Sequence, residues 1–193
     1  RLSVRGPGDK DHPAEGVTMT VSLAGEDLNG IMLVGGSGGT RGTVVVVSSK
    51  SGGTLETDSQ RRSFVQAFTA TGIDPGQRVV VVTDPGSPLE ELARTEGYRA
   101  VFLADPNVGG RYSALTAFGL VPSALAGADV AALLAQAEPV LASLADDDAP
   151  GLALGAVLGA AGRDKVAIDE SGSDLVGFGD WAEQLIAEST GKQ

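Results

Sequence analysis

Apolar and polar positions along this chain change period several times, and each change marks an element. Ile31 to Gly35 (IMLVG) and Thr43 to Ser48 (TVVVVS) are short apolar runs bounded by glycine, the pattern of strands covered on both faces. From Leu55 to Thr71 the spacing turns helical. Phe64, Ala67 and Phe68 share one stripe, Asp58, Arg61 and Arg62 lie opposite, and Gly72 closes the helix. RVVVVTD (Arg78 to Asp84) predicts the next strand and SPLEELARTEG (Ser87 to Gly97) the next helix. There Ser87 suits the N-cap, Pro88 the first helical position, and Glu90 and Glu91 the positive end of the dipole. RAVFLAD (Arg99 to Asp105) is a further strand. Strand and helix alternate through short links, so a parallel sheet with helices on both faces is expected.

The rhythm breaks after Asp105. A glycine turn leads into apolar helical sequence. Two more helices are predicted over Asp129–Ala145, with Pro139 inside, and over Gly151–Ala161. Lys165–Asp169 suggests one more strand. FGDWAEQLIAES predicts a final helix with Trp181, Leu185 and Ile186 on its apolar side. Residues 1–42 are weakly patterned, with VTMTVSLAG as a candidate edge strand. The expected architecture is an α/β three-layer sandwich around a parallel sheet of about five strands.

Composition narrows the function. Hydrophobic residues make up 42% of the chain and aromatics 4%, so Val, Leu and Ala must fill the core. No apolar run approaches the roughly 20 residues of a membrane-spanning helix. The absence of cysteine excludes disulfides, thiol nucleophiles and cysteine-ligated zinc. A formal charge of −11 argues against non-specific nucleic-acid binding. A cytoplasmic protein with neither nucleic acid nor membrane as partner is expected. The single histidine, His12, sits in a polar leader, so histidine-based triads and metal sites are not expected. Asp146 to Asp148 reads as a wetted loop. The chain starts at Arg1 rather than Met, as a processed or excised piece would.

Candidate chemistry gathers where strands end. In open α/β sheets, ligands bind beyond the carboxyl ends of the strands. Ser48 to Thr57 (SSKSGGTLET) is such an end and leads directly into a helix, whose N-terminal amides and dipole favour an anion. Gly52 and Gly53 allow close approach, Ser49, Ser51 and Thr54 offer hydroxyls, and Lys50 a positive charge. A phosphate monoester would fit; so would a plain loop whose serines and glycines merely cap the next helix. GGRYSAL (Gly109 to Leu115) lies on the same sheet edge. Arg111 there is either an oxyanion clamp or a surface arginine paired with a carboxylate. Glu188, near the end of the last helix, opposes the dipole, which suits a carboxylate with a task and also an ordinary exposed glutamate.

At these residues the chain resembles the phosphoglucose isomerase family, built of two sugar isomerase (SIS) domains of flavodoxin-like fold. SSKSGGTLET resembles the family's sugar-phosphate loop, DPNVGGRYSALTAFGLVP its signature, and FGDWAEQLIAESTGK its glutamate segment, in the family's order. The loop is also similar to the isomerase half of bifunctional transaldolase–isomerase proteins. The resemblance implies interconversion of glucose 6-phosphate and fructose 6-phosphate through a cis-enediolate, with no metal or organic cofactor. It implies that Ser49, Lys50, Ser51 and Thr54 hold the phosphate, Arg111 stabilises the enediolate, and Glu188 shuttles the proton. Glu56, Gly110 and Ser37 would lie nearby. Only eleven residues (38–48) separate Ser37 from Ser49, one helix–strand unit fewer than in the family. The implied organisation is an N-terminal segment (1–42) with the first strands, a SIS domain (43–162) and the start of a second SIS domain (163–193). The family's downstream histidine, contributed by a dimer partner, and its late lysine fall beyond Gln193. An isolated chain of this length is therefore expected to be poorly active or inactive, and the parent a homodimer. The alternative is a non-catalytic SIS module that binds a phosphosugar for sensing or dimerisation.

Overall fold

The computed structural model describes residues 2–4, 19–23, 30–35, 42–169, 171–172 and 177–189. The chain divides into two units, residues 1–130 and 131–193.

The first unit is built on a six-stranded sheet in the order β1-β2-β3-β4-β5-β6: Leu2–Val4, Met19–Leu23, Gly30–Gly35, Thr43–Ser49, Val79–Thr83 and Ala100–Leu103. β4, β5 and β6 are parallel, with Val45 opposite Val79 and Val80 opposite Ala100. β1 to β4 pair antiparallel. The α/β class and the parallel arrangement therefore hold for three strands, while the sheet as a whole is mixed. The excess over expectation comes from the N-terminal region, whose short segments carry little periodicity to read. VTMTVSLAG contributes β2, which is flanked by β1 and so is not an edge.

β-Branched residues bury both faces of β4 and β5. Val45, Val46, Val47, Val79, Val81 and Val82 are fully enclosed, each worth roughly 1.5–3 kcal/mol relative to exposure. On one face Val45, Val47, Val79 and Val81 meet Phe68 of α1 (Leu55–Ala70) and Leu89 and Ala93 of α2 (Pro88–Thr95). On the other, Val46, Val80 and Val82 meet Phe118 of α3 (Ala117–Leu125).

Both crossover helices end in the same way. Gly72 (φ 71°) lets Ile73 N–H bond Phe68 O at 2.9 Å, and Gly97 (φ 63°) lets Tyr98 N–H bond Ala93 O at 2.9 Å. Each is a Schellman turn, and the residue after each glycine packs into the shared core. α1 corrects one expectation. Arg61, assigned above to the polar side, is 8% exposed, whereas Ala67 faces outward. Positions 61, 64, 65 and 68 share the inner face, and Arg61 is accommodated because its guanidinium is satisfied on two sides. Nη1 donates to Tyr98 Oη at 2.8 Å and Nε to Asp58 Oδ1 at 2.9 Å.

The second unit contains most of α4 (Val130–Ser143), then α5 (Pro150–Ala160) and α6 (Phe178–Ser189), close to the predicted spans. No residue of α4 or α5 is buried. In α6, Phe178 and Trp181 form a tilted ring pair with centroids 5.6 Å apart. Lys165–Asp169 is exposed coil rather than a strand, since no strand among the described residues pairs with it.

Candidate functional site

The loop from Lys50 to Thr54 begins where β4 ends and closes where α1 starts. Ser49, 1% exposed, braces it from below: its Oγ accepts from Gly52 N–H at 3.1 Å and lies 3.4 Å from Thr54 Oγ1. Its backbone oxygen accepts from Thr83 Oγ1 at 2.7 Å. Thr83 has one hydroxyl proton and spends it there, so across the 2.7 Å contact Ser87 must donate to Thr83. The Ser87 oxygen then accepts from Glu90 N–H at 3.1 Å, capping α2. One chain of hydroxyls thus links β4, β5 and the start of α2.

Gly52 adopts φ 69°, and a Cβ there would lie 2.8 Å from Leu89 N. Gly53 has open space around it. Ser51 and Gly53 are exposed, with Gly53 N–H donating to Ser51 Oγ at 3.3 Å. At the head of α1, Thr54 occupies the N-cap position yet makes no side-chain cap bond. The amides of the first turn therefore face the loop without that side chain, and Glu56 and Asp58 lie in the same turn. Thr57, 2% exposed, holds a hydroxyl with no hydrogen-bond partner among the described residues.

Lys50 turns sideways along the sheet edge. Its Nζ sits 2.8 Å from Asp84 Oδ2 and 3.0 Å from Oδ1, just past the end of β5. The backbone oxygens of Asp105 and Pro106, beyond β6, are each 3.4 Å away. Gly109 follows and leads into a 3₁₀ stretch, Gly110–Leu115, that carries Arg111 half-buried. Ser113 Oγ donates to Gly109 O at 2.9 Å and fastens that turn. α3 packs against it so closely that a Cβ on Gly119 would overlap Ala114 O.

Ser49, Lys50, Ser51, Thr54 and Glu56 are thus contiguous, and Lys50 reaches the loop that leads to Gly110 and Arg111. Glu188 belongs to α6, in the second unit, and its side chain lies outside the described residues, as do Ser37 and His12. Sequence reasoning missed Asp84 and Thr83, and read Ser87 only as a helix cap. Their signal was the polar TDPGS that follows VVVV on the strand adjacent to the loop, at the same sheet edge. Near the site, burial pushes the Asp58 carboxyl up, but bonds and attraction from Arg61 and then Arg62 outweigh it and hold it below the ordinary value. Among the described residues no cluster of His, Asp or Glu could hold a metal ion, and no helix is long and apolar enough to cross a membrane.

No protein-family model matches the chain. Several curated proteins do. A glucose-6-phosphate isomerase of Rippkaea orientalis is 37% identical over 161 residues, covering 79% of this chain and 30% of that protein. One of Synechococcus elongatus is 40% identical over 159 residues, covering 78% and 30%. A probable glucose-6-phosphate isomerase of Haloarcula marismortui is 37% identical over 155 residues, covering 78% and 35%. The crystal structure of a hypothetical protein from Thermus thermophilus matches at 39% identity with a TM-score of 0.52, over 56% of this chain and 27% of that one. The chain spans about a third of the length of these curated relatives. Over about four-fifths of its length, then, it is related to the glucose-6-phosphate isomerase family.

Proposed function

We propose that this chain supplies the phosphate-binding part of a sugar-phosphate isomerase that interconverts glucose 6-phosphate and fructose 6-phosphate. The observation that carries the reading is the head of α1. Its N-cap residue, Thr54, makes no side-chain cap bond, the exposed Ser51 lies three residues before it, and Gly53 has open space around it. Partial positive charge at a helix N-terminus favours a phosphate dianion there. Ser51 and Thr54 add hydroxyl donors, while Ser49 shapes the loop from beneath.

In this reading the opened sugar presents C1 and C2 to Glu188. The carboxylate removes the C2 proton, the C–H electron pair becomes the C1–C2 double bond of a cis-enediolate, and the C1=O π pair moves onto O1. The carboxyl group then returns the proton to C1, while the O2 proton passes to O1 and C2 becomes the ketone. One base serving both carbons is general acid–base catalysis. Arg111 stabilises the oxyanion as a fixed cation. The reaction asks for no metal or organic cofactor. Residues 43–162 act as a SIS domain and 163–193 as the start of a second, in a cytoplasmic homodimer.

Two measurements test this. A coupled assay on the complete gene product should detect isomerisation of fructose 6-phosphate, and its absence with binding intact would favour a sensing or dimerisation module. Calorimetry on the 193-residue chain should detect weak fructose 6-phosphate binding with little turnover; robust turnover would refute the view that further sequence is needed.

A further inference from the structure

Three chain segments leave the sheet side by side at its carboxyl edge, after β4, β5 and β6, and one ammonium touches all three. Lys50 follows β4; its Nζ meets the Asp84 carboxylate at 2.8 and 3.0 Å after β5, and the Asp105 and Pro106 oxygens at 3.4 Å after β6. The Phe118 ring stands 5.9 Å from it. The two side chains are only 23% and 18% exposed, so water and salt screen this pair less than a surface pair.

We propose that Lys50 and Asp84 are positioning residues that keep the phosphate loop in register with the turn carrying Arg111, and that Lys50 is not itself a phosphate ligand. The inference rests on the isomerase reading above. An ammonium has three N–H donors, and here a carboxylate and two carbonyls meet them. A phosphate approaching Lys50 would have to displace Asp84 or bind beside its negative charge. At the head of α1 the first turn also carries Glu56 and Asp58, but the Asp58 carboxylate is taken up by Arg61 and Arg62. Asp105 and Pro106 stand only a few residues before Arg111, so the ammonium fixes the base of that turn. Misplacing a catalytic group by about 1 Å costs on the order of 100-fold in rate.

The complete gene product provides the test, with fructose 6-phosphate turnover and inorganic phosphate binding read separately. Asp84→Asn and Lys50→Met should each lower kcat by a similar factor, about 10- to 100-fold. Both should leave the Kd for inorganic phosphate within about three-fold, and the double variant should be no worse than either single one. Asp84→Glu, which restores the carboxylate, should recover part of kcat. It also serves as the milder variant if Asp84→Asn does not fold. If Lys50 contacts phosphate directly, Lys50→Met weakens phosphate binding about ten-fold or more and Asp84→Asn, by releasing the ammonium, tightens it. Either result overturns the proposal. Should the wild-type protein neither bind phosphate nor turn over, the isomerase reading fails instead. The clamp is then read by hydrogen exchange: Asp84→Asn should speed exchange of the amides between Asn107 and Ser113, and unchanged rates overturn it.

Discussion

The backbone of Gly52 lies against the backbone of Leu89, so close that a methyl group on Gly52 would sit 2.8 Å from Leu89 N. The loop after β4 therefore rests on the head of α2. Gly52→Ala meets both this contact and a φ of 69°. It should lower stability by about 1–3 kcal/mol and weaken inorganic phosphate binding. Gly53→Ala, in open space, should leave stability unchanged. Chemical denaturation and calorimetry on the pair check the contrast, and equal effects would show that the contact is not what matters.

Asp58 gives the fold an acid-sensitive contact. Its carboxyl titrates below the ordinary value because its bonds to Arg61 and Arg62 outweigh burial. The resulting stability is fully present above the unfolded value, near pH 4, and is lost as pH falls through the lower folded value. The stability difference between wild type and Asp58→Asn should be constant from pH 7 to about pH 5 and shrink below about pH 4. Urea unfolding at several pH values measures it; a difference that grows on acidification would reverse the assignment.

Thr57 buries a hydroxyl with no partner among the described residues. Thr57→Val keeps the shape and removes the orphan group, so thermal unfolding should show a gain of about 1 kcal/mol. A loss would mean that the hydroxyl is satisfied in solution.

Glu188, as the proposed base, should be indispensable to turnover alone. In the complete gene product, Glu188→Gln should lower kcat at least ~100-fold with KM little changed. Near-normal kcat would remove Glu188 from the mechanism.

The legible parts of this fold are those where local chemistry and tertiary packing agree. The four valines of β5, the glycines closing α1 and α2, and the Ser87–Pro88 start are readable because each residue's own conformational preference matches its place. Arg61 escapes a helical pattern, which treats arginine as polar. Tyr98, 37 residues away, helps make its burial tolerable. Asp84 escapes for a similar reason: its partner stands 34 residues earlier, just past the end of the neighbouring strand. The loop's serines and glycines point to an anion, but which way Lys50 turns depends on that long-range carboxylate. The antiparallel half of the sheet lies in a region whose short segments announce neither their pairing nor their order.

Both crossover helices are fastened at the sheet's opposite edge, where Ile73 and Tyr98 sink into the core after their glycines. These turns and the Lys50–Thr54 loop therefore lie at opposite ends of the strands. A change of length in the loop that follows β4 would leave the glycine turns that aim the helices untouched.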